Sequence, residues 1–450
     1  MINKKTLIIV FTLIQIHSYS NAGDFWGINS KNLSLGGRQV SGVNDYSAAF
    51  HNPSKLPFIG LNNGIGYQYS LYKLKINMED KRSEKNKELF ISKSPKKLQN
   101  GYSSFTLGFT IPIFKTKSYG LSLGLASNFI EDNISKISIF DEKLYQFYKF
   151  HSNVETFLMN LGIGFQFLKN YSIGLGLAQL VSVKGETNVR FKLGNDYDKE
   201  TNNNSYIISK DLYLTVVNQR AFNFSLSANY NIFSFSAVYK QSLSLPYKIP
   251  ASIVIKNLTT EDGKQGASID LLIEGYGFWL PPKLDFGFSL DLSKKINSLI
   301  HLNISYELWG KAPEPYSFTS INSDASLILI KNLESLKPSI KYEDSINIYL
   351  GYSLNFFQEQ RFNLGFSYRP SIIKSHDKLT NIVDNDTISF STGFELKLLS
   401  NKSKNFKDLY LNIAYSIQHA LYKSEYSNYY NSSVNYGGNI HLFFIDILYK

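Results

Sequence analysis

The sequence predicts an all-β chain that closes into a transmembrane antiparallel β-barrel of about 14 strands, with an export signal and an N-terminal hatch before it. Three observations carry that expectation: long runs of period-two alternation, connections that alternate between long and short, and an aromatic-rich composition with no helical span. Of the 450 residues, 43% are hydrophobic and 15% aromatic, with 31 Tyr and 33 Phe. That is too apolar for a disordered chain, yet no apolar run beyond the first 22 residues approaches the ~20 that a spanning helix needs. The lack of cysteine excludes disulfide frameworks, thiolate metal sites, Cys nucleophiles and a lipidated Cys anchor.

In chain order, the first element is an address. Lys4 and Lys5 precede the apolar stretch Leu7 to Ile16, and Ser20-Asn21-Ala22 puts small residues at both key positions of a cleavage site. This reads as a signal peptide over residues 1–22. Without it the chain carries 45 basic and 36 acidic residues, a net charge of +9. For an exported protein that charge favours anionic lipid and lipopolysaccharide phosphates, and no nucleic acid.

Residues 23–61 are rich in Gly, Ser and Asn and lack sustained alternation, which fits a compact hatch inside a barrel better than a loose tail. Pro53 presets a turn there, and Asn52 before it is held extended.

Residues 62–450 carry the barrel. Ile300, Leu302, Ile304, Tyr306 and Leu308 share one parity, opposed by His301, Asn303, Ser305 and Glu307, and the pattern recurs from Ile346, Phe362, Ile388 and Leu409. A soluble sandwich or propeller also alternates, but its strands run ~5–6 residues, whereas these sustain the ~9–11 of a tilted membrane strand. The apolar parity then faces lipid and the polar parity a lumen. Strands parse near 62–78, 101–114, 118–131, 152–168, 170–193, 213–231, 232–256, 268–292, 298–311, 342–357, 360–374, 386–398, 405–423 and 435–449. Long connections such as 79–100, 132–151 and 311–341 alternate with tight turns near Lys169, Asn231 and Gln358. Long loops on one side and tight turns on the other place both termini in the periplasm.

Leu35-Gly36-Gly37 with Gly42, Asp45-Tyr46-Ser47-Ala48-Ala49 and Asn52-Pro53-Ser54 resemble the hatch of the FadL family of outer-membrane transporters for long-chain fatty acids and other hydrophobic compounds. Leu280-Pro281-Pro282-Lys283-Leu284-Asp285, Gly365-Phe366-Ser367-Tyr368-Arg369-Pro370 and Leu409-Tyr410-Leu411-Asn412-Ile413-Ala414-Tyr415 extend the resemblance over nearly the whole mature chain. Ser54 departs from the family's usual Ala, and Tyr449-Lys450 from its aromatic terminus. The resemblance implies a third strand kinked beside the hatch motif, with a lateral opening in the wall. It maps that strand onto Gly120, Ser122, Gly124 and Ala126, whose side chains are all small and share the lumenal parity. Gly162, Gly164, Gly174 and Gly176 repeat the pattern on the next two strands. Small residues here serve either a gap or the close approach of the hatch, and Asn52-Pro53-Ser54 is expected against the third strand.

No His-Glu-x-x-His, Gly-x-Ser-x-Gly or Walker pattern is present, and His301, His419 and His441 read as scattered lumenal wall residues. No enzyme activity, cofactor or metal is therefore expected. Lys240, Arg361 and Arg369 have lumenal parity, as partners for a ligand carboxylate or as solvated wall charges. Phe140, Leu144 and Phe147 lie in an apolar connection suited to a ligand groove or to packing between loops. The expectation is passive transport of fatty acids or similar lipids and hydrocarbons across the outer membrane of a Gram-negative bacterium. Capture by loops, lumenal binding and lateral release beside the hatch complete that expectation. The expected partners are a hydrophobic ligand, outer-membrane lipid with lipopolysaccharide and the barrel-assembly machinery, for a monomer. The alternative is a barrel of the same type that offers its loops to a secretion or adhesion partner.

Overall fold

A computed structural model describes residues 27–80, 101–130, 135–137, 146–147, 154–181, 219–259, 265–313, 316–323, 340–356, 360–376, 382–399, 408–427 and 432–450. Among these residues, fourteen antiparallel strands form one closed ring. They are β1 (Asn62–Asp80), β2 (Gly101–Lys115), β3 (Gly120–Ile130), β4 (Val154–Leu168), β5 (Tyr171–Val181), β6 (Gln219–Tyr230) and β7 (Phe233–Lys240). The second half comprises β8 (Lys283–Asp291), β9 (Ser298–Glu307), β10 (Ser345–Phe356), β11 (Gln360–Arg369), β12 (Thr387–Leu399), β13 (Leu409–Ser427) and β14 (Ser432–Tyr449). Each strand pairs with its neighbours in sequence, and β1 closes the ring on β14 from Asn63↔Tyr449 to Asp80↔Ser432.

Closure leaves the ring itself without a sheet edge, and the alternation puts an apolar belt on its outside. Exposed Ile65, Phe105, Leu123, Ile163, Leu175, Phe222 and Tyr239 come from β1 to β7, and Phe286, Ile300, Leu350, Leu364, Phe390, Ile413 and Phe443 from β8 to β14. Phe222 exposes 66% of its surface, a value that makes sense only against lipid or another apolar phase. The belt is built across the ladder, as in the row Ile445↔Ile413, Ile413↔Phe394 and Phe394↔Phe362. At the end with the short turns, Tyr119, Tyr171 and Tyr230 are exposed, with Tyr171 and Tyr230 edge to face at 5.7 Å.

Two expected strands are broken. The runs read as 232–256 and 268–292 stop at Lys240 and restart at Lys283. Beyond the breaks, Leu243–Thr259, Gln265–Leu280 and Tyr316–Ser323 form a separate sheet at the end with the long connections. Pro281 and Pro282 have no N–H to give to a ladder, so the chain changes sheet there. Likewise β11 ends at Arg369 before Pro370, and Ile373–His376 pairs instead with Ile340–Tyr342.

Residues 27–60 carry α1 (Ser30–Ser34), α2 (Ala48–His51), a 3-10 turn (Pro53–Lys55) and α3 (Leu56–Ile59). They touch inward-facing residues on opposite sides of the ring. Ser30 donates to Asp446 on β14, Arg38 pairs with Asp285 on β8, Asn52 bonds Ser227 on β6, and Leu56 faces Gly124 on β3. The third strand itself is not kinked away from the wall. It pairs with β4 without a register shift from Gly120↔Gln166 to Asn128↔Leu158, and with β2 along the same stretch, so the expected lateral opening is closed here.

Candidate functional site

The N-terminal segment takes its shape from its own short-range bonds. Asn52 is extended (φ −159°, ψ 89°) and caps the 3-10 turn, its Oδ1 accepting from the Ser54 amide at 3.1 Å, with Pro53 in the first turn position. The Ser54 hydroxyl donates to the same oxygen at 2.6 Å and lies 2.6 Å from the Ser227 hydroxyl, bonds that an Ala could not make. The wall holds the motif through Ser225 Oγ, which accepts from the Ser54 amide at 2.9 Å, and through Ser227 Oγ, which accepts from Asn52 Nδ2 at 3.1 Å.

The motif does not sit on β3. A β-carbon at Gly164 or Gly174 would run into the Pro53–Ser54 backbone, so the motif lies against β4, β5 and β6. The inward face of β3 receives side chains instead: Leu56 and Ala49 at Gly124, and Pro57 near Gly120, with Ser122 and Ala126 buried between and beyond them. Glycine is required where backbone meets backbone, and at Gly174 that approach is closest to the Ser54 amide.

Charges in the segment are buried with it. Arg38 Nη1 donates to both oxygens of Asp285, at 2.9 and 3.1 Å. Burial works against its charge, but Asp285 more than offsets this and raises the Arg38 pKa. Lys31, which donates to Asn44 Oδ1 at 2.6 Å, is lowered to about 7 by burial, opposed in part by Glu395. Lys55, which donates to Asn229 Oδ1 at 2.6 Å, is lowered to about 7 by burial. Burial holds His51 well below the usual imidazole range, and it is neutral at pH 7.

Between this segment and the end with the long connections lies a cavity. Phe50, Leu158, Leu243, Leu280 and Trp309 give it apolar walls, and Arg38, Lys240, Lys283, Glu307 and Arg369 ring it with charge. The predicted cations are thus divided. Lys240 lines the cavity, donating to the Phe50 carbonyl at 2.7 Å with its ammonium 4.2 Å from the centre of the Phe50 ring. Arg369 lines it too and donates to Gln418 Oε1 at 2.9 Å. Arg361 stands at the opposite end of β11, 3.6 Å from Glu395, and is not part of the cavity, because seven residues of strand separate it from Arg369.

Phe147 is fully buried elsewhere, edge to face with Tyr436 at 6.1 Å in a cluster with Leu74, Val383 and Ile440. Phe140 and Leu144 lie outside the described residues. Of the three histidines, only His301 points inward, 2.9 Å from Ser289 Oγ; His419 and His441 share the outward parity, with His441 bonded to the Tyr415 hydroxyl at 2.8 Å. Arg38 and Asp285 belong to the family-like motifs, but nothing in the sequence paired them. The signal available was the charge of Asp285 between outward Leu284 and Phe286.

No family model matches the sequence, and no curated protein does. Solved structures do. A FadL homologue from Pseudomonas aeruginosa aligns with 96% of this chain and 98% of its own length at 14% identity, with a TM-score of 0.59. The Pseudomonas putida toluene transporter TodX aligns over 95% and 99% at 13% identity, TM-score 0.55, and the CymD monoaromatic hydrocarbon channel over 95% and 98% at 13%, TM-score 0.52. The last two are named as a transporter and a channel. The closed ring of fourteen strands and its alignment along nearly the whole chain establish that this protein has the outer-membrane barrel fold of the FadL homologues, as its sequence motifs led one to expect.

Proposed function

We propose that the protein is a passive channel that carries hydrophobic molecules across the outer membrane of a Gram-negative bacterium. The observation that carries this reading is the apolar-walled cavity, set inside a lipid-belted ring and floored by Phe50 of the N-terminal segment. A solute that enters from the long-connection side gains roughly 0.8 kcal/mol for each CH₂ it buries, which extracts it from water without an energy source. Residues 27–60 act as the hatch, and the loops above the cavity make the first capture. Release follows the small faces of β3 to β5, where Leu56, Ala49 and Pro53 must withdraw to open a path. Lateral exit at β3 further requires its ladder with β4 to part, because that ladder is complete. The signal peptide delivers the chain to the periplasm as a monomer for insertion by the assembly machinery, among lipopolysaccharide.

A cysteine pair tests the hatch directly, since the chain has no cysteine of its own. A β-carbon at Gly124 would stand 3.2 Å from that of Ala49, close to disulfide spacing, once the end of the Leu56 side chain turns aside. Cells with the parent protein take up a labelled long-chain fatty acid or toluene faster than cells without it. Ala49→Cys/Gly124→Cys cells lose that advantage when oxidised and regain it on reduction. Equal uptake with and without the parent would overturn transport, and full uptake by the oxidised pair would overturn hatch movement.

A further inference from the structure

Asn160 lines the cavity beside the apolar Leu158, Ala178 and Ala221, with Asn223 in the same wall and Asn128 one inward position away on β3. Asn160 is 1% exposed on the inward face of β4, and among the described residues neither its Nδ2 nor its Oδ1 has a hydrogen-bond partner. Its direct ladder partners are Ala126 on β3 and Ala178 on β5, which offer it only methyl groups. The inward neighbours along its own strand are Leu158 and Gly162, and the face of Gly162 is covered by Ala49, Pro53 and Leu56. A buried carboxamide without partners is costly and is rarely kept without a use.

The charged groups of the cavity are already engaged. Arg38 is held by Asp285, Lys283 stands 4.0 Å from Glu307, Arg369 is bonded to Gln418 and Lys240 to the Phe50 carbonyl. A carboxamide offers a donor and an acceptor side by side. A hydroxyl can answer both, a hydrocarbon neither, and a carboxylate only the donor. We infer that Asn160 is a specificity-determining residue that selects hydrophobic ligands bearing a neutral hydroxyl, such as a fatty alcohol or a phenol, over the bare hydrocarbon. This rests on the transport reading, and its apolar partner surface is Leu158, Leu243 and Phe50 of the same cavity.

The test uses the full chain in lipid nanodiscs, referenced to empty nanodiscs, with 1-octanol, octane and octanoate as probes at pH 8. Binding is read by intrinsic fluorescence, to which Trp309 on the cavity wall contributes. The parent should bind octanol roughly tenfold tighter than octane, the scale of one satisfied hydrogen bond in a buried site. Asn160→Leu, of similar size, should bring the two within about twofold of each other while octane binding persists. If Asn160→Leu fails to give a heat-modifiable barrel, Asn160→Ala is read in its place. Equal binding of octanol and octane by the parent, or a preference that survives the loss of the carboxamide, overturns the assignment and leaves transport standing. So does tightest binding of octanoate that is lost in Lys240→Met and kept in Asn160→Leu. Failure of the parent to bind any of the three overturns both readings.

Discussion

At the residue scale, two kinds of buried ionisable group lie in the N-terminal segment, and they answer differently to change. Arg38 and Asp285 are each almost fully buried and matched, so removing one strands the other. Arg38→Ala should weaken docking of residues 27–60 by about 3–5 kcal/mol, and the double variant Arg38→Ala/Asp285→Ala by less, as read by hydrogen exchange of the segment. Lys31 and Lys55 are held near 7 by burial, against a usual value of 10.5. An undocked segment therefore binds more protons than a docked one between about pH 7 and pH 10.5, and docking strengthens as pH rises through that window. Exchange protection of the segment, corrected for intrinsic rates, should be greater at pH 9 than at pH 6.5. In Lys31→Met/Lys55→Met the difference should vanish; its persistence would assign the effect to other groups.

At the element scale, inward parity says which face a glycine is on but not what meets it. Gly124 meets first the end of the Leu56 side chain, which can turn, whereas Gly174 meets the Pro53–Ser54 backbone, which cannot. Gly174→Ala should thus cost about 1–3 kcal/mol as overpacking, leave the ring inserted and expose the segment to exchange. The same variant with unchanged exchange would show that the motif does not seat on β5. Parity alone would make Gly365 a neutral lumenal control for Gly124, yet the Leu35–Gly36 backbone lies directly over it, so bulk there also displaces the segment. Gly60 has open space where a side chain would stand, but its φ of 80° and ψ of −161° strain any side chain there, so it is no control for bulk either.

At the scale of the whole molecule, the strand order gives the barrel a direction. Lys115 to Gly120, Leu168 to Tyr171 and Tyr230 to Phe233 turn tightly at one end, and the connections 81–100 and 324–339 leave the other. If the long connections face outward, protease added to intact cells should cut within them and spare the turns at Lys169 and Thr116. The opposite pattern would invert the barrel in the membrane. The terminal Lys450 lies 3.2 Å from Glu395 and 4.8 Å from the Tyr410 ring, so the non-aromatic terminus is tied to β12 and β13 rather than left loose.

Alternation by itself determined the strands, their sidedness and their number, because side chains of a strand must alternate between two environments and the environments here are lipid and lumen. It erred where local backbone chemistry cut a run short, at Pro281, Pro282 and Pro370. The turn at Asn52-Pro53-Ser54 was equally legible, since a capping carboxamide and a proline act within three residues. Only the tertiary structure decided what the turn touches, that Lys240 and Arg369 share a cavity while Arg361 does not, and that Asn160 is without a partner among the described residues. Those facts depend on which residues of distant strands the closing of the ring brings opposite one another. Asn160 faces Ala126 and Ala178 because of the register of three strands, and no pattern within one strand encodes the register of its neighbours.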